Sequence, residues 1–440
     1  MLMEISPHQL EVAETLLEVG RFVVIFLVAR ATAELLVRLQ LPTILGELVA
    51  GVLIGVSGLH LIVPPPTGAE LSTAVTTLVG GLAAITPEAV VHVYNETFSN
   101  LQSVSQLGLF ALLFLTGLES DLDELLAVGA QAISVAMAGV VLPFVLGTAG
   151  LHFLFHLPLI PAVFAGAAMT ATSIGITASV FGDLNWLKRR EGQIVIGAAV
   201  LDDILGIVIL AVVVAIGGGG SLSLGPLLRL GLAAVVFVAV ALVLSRKAAP
   251  AFDWVVDRLK ASGNVAVASF LVLTVCCFSA QAIGLEAALG AFAAGLILSS
   301  SKHTDDIEAA VKPLVALFAT VFFVLIGTGM DLSVLNPFDP ANHEGLIVAA
   351  FLLVVAIATK VAAGWSYLSQ EPTNRLVVGL GMMPRGEVGL IFLGLGTQAG
   401  ILSPALEAGI LVMVIGTTFL APVLLRFVIP KEPSPSAALL

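Results

Sequence analysis

The chain has 440 residues, of which 58% are hydrophobic and 11% charged, and its mean hydropathy is +1.10. Soluble domains carry about 25% charged residues, so a water-soluble enzyme is excluded and a polytopic helical membrane protein is indicated. The net charge of −12 argues against nucleic acid or an anionic lipid surface as the main partner, since both call for a basic patch, and favours cationic cargo only weakly.

The N-terminus holds Glu4, Glu11, Glu14 and Glu18 and lacks the positive region and small-residue cleavage site of a signal peptide, so the first span is retained. Apolar runs approaching the length that crosses a bilayer core predict thirteen spans, at 18–38, 41–62, 104–118, 124–151, 159–182, 191–216, 226–245, 264–283, 285–300, 311–330, 345–368, 373–398 and 404–428. Between the second and third lies Pro64 to Asn100, whose apolar part, Leu71 to Ile85, is short and interrupted by Gly80 and Gly81. An interfacial or re-entrant helix is expected there. Cytoplasmic loops concentrate Lys and Arg. One alternate set of loops holds Arg38, Lys188, Arg189, Arg190, Arg246, Lys247, Arg258, Lys260, Lys302, Lys312, Arg375 and the tail residue Lys431, and the other set holds none. With thirteen spans this places the N-terminus outside and the C-terminus in the cytoplasm.

Two internal matches suggest duplication. Leu41-Pro-Thr-Ile-Leu-Gly-Glu-Leu-Val-Ala-Gly51 is similar to Leu285-Glu-Ala-Ala-Leu-Gly-Ala-Phe-Ala-Ala-Gly295 at an offset of 244 residues. Leu115-Thr-Gly117 with Asp121-Leu122 is similar to Leu325-Ile-Gly327 with Asp331-Leu332 at an offset of 210. The offsets differ by about the size of the extra stretch. Spans 1 to 6 then correspond to spans 8 to 13, and displacement by an odd number of spans inserts the second copy upside down, the architecture of secondary transporters. The expected organisation is a first repeat over 1–216 with a non-spanning insertion at about 64–100, a connecting span 7 and loop over 217–263, a second inverted repeat over 264–428, and a short cytoplasmic tail over 429–440.

Polar residues inside a membrane cost on the order of 2.5 to 3.5 kcal/mol at a helix centre, so each needs a partner or a purpose. Span 6 places Asp202 and Asp203 side by side at mid-depth, about 100° apart around the helix, facing different neighbours. A buried carboxylate that binds a proton and a metal cation in turn would perform an exchange cycle by competition, and its oxygens suit a hard cation. Lys360 in span 11 lies too deep to snorkel to the surface and should be deprotonated or paired with a carboxylate, one of the Asp pair being the obvious candidate; a purely structural salt bridge is the alternative reading. Met169-Thr-Ala-Thr-Ser-Ile-Gly175 in span 5 and Met383-Pro-Arg-Gly-Glu-Val-Gly389 in span 12 both weaken helical hydrogen bonding at mid-depth. They fall on one another at the offset of 210 residues and are expected to meet. Thr172 and Ser173 could then ligate a cation, with Arg385 and Glu387 offsetting the partial charges of the half-helix ends.

These residues resemble the monovalent cation:proton antiporter-2 family, in particular its NapA-type sodium/proton antiporters, over nearly the whole chain. The resemblance rests on Asp202-Asp203 in the sixth of thirteen helices, Thr170-Ala-Thr-Ser173 in the fifth, Lys360 in the eleventh and Pro384-Arg-Gly-Glu387 in the twelfth. It implies an all-α fold of two inverted six-helix units with two discontinuous helices crossing at the midplane, assembled as a homodimer whose mobile core carries the ion as an elevator. It also implies that Asp203 is the ion-binding carboxylate, Asp202 the partner of Lys360, Thr172 and Ser173 helix-break ligands, and Glu387 the charge at the second break. The transported ions would be Na+, with K+ or Li+ as alternatives, and H+, without a cofactor. The chain ends soon after span 13, so regulation by a nucleotide-binding C-terminal domain is not expected.

Other features are less specific. Glu119, Asp121, Asp123 and Glu124 read as a solvated helix start, or as a cation-collecting or pH-sensing patch at the inner mouth. The seven histidines, His8, His60, His92, His152, His156, His303 and His343, fall in or near termini and loops without metal-site spacing. Cys276 and Cys277 are small core residues. Gly51-Val-Leu-Ile-Gly55 fits close helix packing, within one chain or between two. A cation channel is opposed by the discontinuous helices and the lack of a selectivity-filter sequence, and a sodium-coupled organic solute symporter by the uniformly apolar spans. No phosphate-binding loop of an ATP-driven pump is present. The default location is a bacterial cytoplasmic membrane, with a thylakoid or other energised internal membrane equally compatible with the composition.

Overall fold

The computed structural model describes residues 6–39, 41–65, 70–120, 127–217, 224–258, 263–367, 372–385, 389, 392–393, 396–397 and 400–429. All regular structure among these residues is helical, as the hydropathy requires. In chain order the α-helices are α1 (Pro7–Arg38), α2 (Thr43–Ile54), α3 (Thr73–Ala83), α4 (Pro87–Glu119), α5 (Gly129–Phe153), α6 (Leu159–Ala168), α7 (Ile174–Asp183), α8 (Arg190–Gly217), α9 (Leu224–Arg258), α10 (Asn264–Ala282), α11 (Ala287–Leu298), α12 (Thr304–Thr328), α13 (His343–Ala363), α14 (Arg375–Gly381) and α15 (Pro404–Val428). Six of them, α4, α5, α10, α12, α13 and α15, are long and apolar enough on their own to cross a membrane.

Several helices outrun their apolar runs. The third span, expected at 104–118, is the second half of the 33-residue α4. Its polar first half, with Glu88, His92, Asn95, Glu96 and Asn100, is invisible to hydropathy yet helical, started by Pro87 and by Thr86, whose Oγ1 accepts from the Ala89 amide at 3.4 Å. Likewise α1 starts at Pro7 rather than residue 18, because Ser6 and Gln9 form a reciprocal capping box. What remains of the insertion is α3, whose 11 residues span about 16 Å, too short for a bilayer core of about 30 Å. Asp121, Asp123, Glu124, Lys260 and the tail over 430–440 lie outside the described residues.

Two short helices thread the middle of the molecule. α2 and α11 are each 12 residues long and begin 244 residues apart, the offset read from the sequence. α2 packs on α12, and α11 packs on α4. Glycine makes both crossings possible: a Cβ built on Gly51 would land on the Val324 carbonyl, and one on Gly295 would land on the Phe114 carbonyl and lie 2.7 Å from the Leu118 amide nitrogen. Gly55 likewise abuts Thr328, so the Gly51–Gly55 motif packs within the chain. Because the obstructing atoms are backbone, Gly295→Val should drive the helices apart. The expected result is loss of the monodisperse peak in detergent gel filtration, while Gly81→Val, where a Cβ meets nothing within 4 Å, should leave it intact.

α2 is further fixed by hydrogen bonds to two neighbours. Asp183 at the end of α7 accepts from the Thr43 amide at 2.9 Å, and Glu47 accepts from Thr320 Oγ1 at 2.6 Å. α5, α8, α13, α14 and α15 pack on one another and carry part of the polar centre described next.

Candidate functional site

The site forms where two helices stop inside the fold. α6 ends at Ala168 and α7 starts at Ile174, leaving Met169 to Ser173 outside both helices; α14 ends at Gly381, leaving Met382 to Arg385 outside it likewise. An interrupted helix exposes carbonyls and amides that must find partners when no water is at hand. Here they find each other: the Ser173 amide donates to the Pro384 carbonyl at 2.9 Å, Thr172 Oγ1 to the Met382 carbonyl at 3.1 Å, and Thr177 Oγ1 to the Gly381 carbonyl at 2.9 Å. Ser173 also caps α7, its Oγ accepting from the Ile176 amide at 3.4 Å. The two interruptions expected from sequence are therefore brought together.

Lys360, projecting from α13, is fully buried and reaches into this junction. Its ammonium donates to Asp202 Oδ2 at 3.0 Å, Thr172 Oγ1 at 2.8 Å and the Thr170 carbonyl at 2.6 Å. All three donors of the ammonium are thus used, and the charge is matched by the equally buried Asp202. Arg385, also fully buried, donates through Nη2 to the Met169 carbonyl, and its own carbonyl accepts from Thr418 Oγ1. Its Nε and Nη1, and Oδ1 of Asp202, are buried without a hydrogen-bond partner among the described residues, which keeps hydrogen-bonding capacity at the centre. Asp203 follows Asp202 on α8 and, unlike it, is partly exposed. Asp202, Asp203, Thr172, Ser173, Lys360 and Arg385 therefore stand in described positions, while Glu387 lies outside the described residues.

Thr172 is the shared element, since one hydroxyl accepts from Lys360 and donates across the junction. Thr172→Val leaves an ammonium donor and a carbonyl unpaired, at about 1–3 kcal/mol for each stranded group. Its melting temperature in detergent should fall, and Thr172→Ser should restore it.

The sequence reading passed over two polar groups. Arg21 on α1 is 4% exposed, donates to Thr97 Oγ1 at 3.0 Å and the Tyr94 carbonyl at 2.7 Å, and lies over the Tyr94 ring. Glu47 is the lone carboxylate within the repeated Leu41-to-Gly51 motif. Both lie inside apolar runs, the same signal that marked Lys360. Among the described residues no cluster of three or more His, Cys, Asp or Glu side chains could hold a resident metal ion.

A helical membrane fold in which two helix interruptions bond to each other, with a buried ion pair seated on one of them, has the construction of a secondary transporter. Residues 23–431 match the transmembrane sodium/hydrogen exchanger family, and the chain belongs to that family. It is 47% identical to the high-affinity Na+/H+ antiporter NhaS3 of Synechocystis, over 94% of this chain and 92% of that one. It is 30% identical to the Na+/H+-K+ antiporter GerN of Bacillus cereus, over 92% and 94% respectively. The fold matches that of the sodium proton antiporter MjNhaP1 of Methanocaldococcus jannaschii with a TM-score of 0.60 at 16% identity, covering 94% of this chain and 96% of that one.

Proposed function

We propose that this protein is a secondary active antiporter that exchanges Na+ for H+ at Asp203, one carboxylate binding the two ions in turn. The observation that carries the reading is the buried Asp202–Lys360 pair at the junction of two broken helices, with the partly exposed Asp203 following Asp202 on α8. Thr172 and Ser173 line that junction and supply further oxygens. Asp202 with Lys360 holds the junction's geometry, and Arg385 balances charge there, a role the sequence also assigns to Glu387.

Inverted repeats over 1–216 and 264–428, joined by 217–263, are supported by contacts between equivalent positions. Thr172 bonds to Met382, 210 residues away, the same offset that relates Gly117 to Gly327 in sequence. Elements near a twofold axis meet their own counterparts, as α4 meets α12 and α5 meets α13. The glycine crossing of α2 with α12 recurs as that of α11 with α4. We take the chain to cross the membrane thirteen times, N-terminus outside and C-terminus cytoplasmic, to cross its two broken helices at the midplane, and to work as a homodimer by elevator-type alternating access.

The test is proton movement in proteoliposomes with an imposed proton gradient and a pH-sensitive dye, adding Na+, K+, Li+ or choline. Dequenching by Na+ and not by choline supports the reading, and a response to K+ or Li+ extends the ion range. Cation flux without coupled proton movement overturns it in favour of a channel.

A further inference from the structure

The repeat-related helices α1 and α10 are packed unequally: α1 lies against both α4 and α12, whereas α10 packs on α12 and makes little contact with α4. The gap is a cavity of about 390 Å³ walled by all three helices, with Phe110 and Phe114 of α4, Phe270 and Leu273 of α10, and Leu314 and Phe318 of α12 among its lining. We propose that this cleft is a binding site for one acyl chain of a bilayer phospholipid, drawn from the leaflet on the side where α10 and α12 begin.

The lining favours hydrocarbon over water. The hydroxyls that border the cavity are already spent within their own helix, Ser269 Oγ on the Val265 carbonyl at 2.6 Å and Thr274 Oγ1 on the Phe270 carbonyl at 2.8 Å. A water would lack the two to four polar partners it needs, and an apolar cavity of about 150 Å³ stays dry and takes up an apolar ligand. An empty cavity of this size would forfeit the dispersion contacts of its whole lining. The rim leads to the lipid-facing surface: Leu107 is 43%, Phe270 51% and Leu314 38% exposed. All three walls belong to helices apolar and long enough to cross a membrane, so the medium at the mouth is acyl chain. The cleft reaches along α12 from Ala310 to Phe318; counted from residue 311, where the apolar span begins, this is the first ~11 Å of the membrane. That is within the depth of the chains of one leaflet in a core of about 30 Å.

The site stands apart from the ion-binding junction, and its test reads no transport, so failure here and failure of the antiport assignment are separable. The full-length protein is reconstituted with a trace of phosphatidylcholine carrying a mid-chain diazirine, photolysed, and its peptides are mapped by mass spectrometry. Labelling of 107–114, 266–277 and 310–318 several-fold above the lipid-facing residues Ile347 and Val354 of α13 is expected. Ala266→Trp at the mouth, or Ala310→Phe if the first variant does not fold, should reduce that excess to background, while Val267→Phe, on the outer surface, should not. Uniform labelling of all lipid-facing helices, or an excess untouched by both filling variants, overturns the proposal. So does protection of the cleft only in cross-linked dimers, which would make a second copy of the chain its occupant.

Discussion

Asp203→Asn abolishes cation-dependent proton movement: in proteoliposomes with an imposed proton gradient, the dequenching that follows Na+ addition falls to that of protein-free vesicles. The argument is chemical. Asn keeps the size of the side chain and a carbonyl oxygen but can bind neither the proton nor the charge of the cation, and in the proposed mechanism both halves of the exchange use the same ionisable oxygen. Because Asp203 is partly exposed and the Asp202–Lys360 pair beside it is left intact, the variant should fold and melt near the wild type. Retained exchange would remove Asp203 from its assigned role. A collapsed elution profile would instead place it among the packing residues.

Lys360→Ala should be the most destabilising single substitution at the centre. It strips Asp202, fully buried, of its counter-charge, and it leaves Thr172 and the Thr170 carbonyl without the donor they accept from. Breaking one partner out of a buried ion pair costs about 3–5 kcal/mol, whereas removing both charges together is close to neutral. The double variant Asp202→Asn with Lys360→Met should therefore recover most of the melting temperature lost by Lys360→Ala alone. If the double variant melts as low as the single one, the pair is not the source of the loss. Transport separates two further roles: exchange that survives in the stable double variant with unchanged voltage dependence leaves Lys360 a brace, and altered voltage dependence makes its charge part of the cycle.

The elements of the site were legible in sequence for a single reason, which is that charge, proline and consecutive hydroxyls are conspicuous against apolar surroundings. Asp202, Lys360, Pro384 and Arg385 each violate the composition of the span that holds them, and the structure brings all four to one junction. The partners of these groups were less legible. That Lys360 also seats on the Thr170 carbonyl depends on backbone freed by the interruption after Ala168, which no side-chain pattern records. Helix lengths were misjudged for the converse reason. Hydropathy reports the solvent around a helix, whereas Ser6, Thr86 and their capping bonds set where α1 and α4 begin. Arg21 escaped notice because Phe22 and the following apolar residues dominate its window, although its depth in α1 follows the same logic as that of Lys360.

The meeting of the two interruptions also bears on how the chain is made. Thr172 and Ser173 leave the ribosome about two hundred residues ahead of Met382 and Pro384, the groups that receive their hydrogen bonds. During that interval the Met169 and Thr170 carbonyls, the Thr172 hydroxyl, the Ser173 amide and Asp202 lack the partners they have in the finished fold, since Lys360, Met382, Pro384 and Arg385 have yet to be synthesised. Polar backbone without partners is not tolerated against lipid, so α6 and α7 must wait in a wetter setting, at the insertion machinery or the membrane surface, until the second half arrives. The first half is thus a dependent piece rather than a self-sufficient folding unit, and maturation of the protein is a late, concerted step in which ion site and membrane seal are completed together.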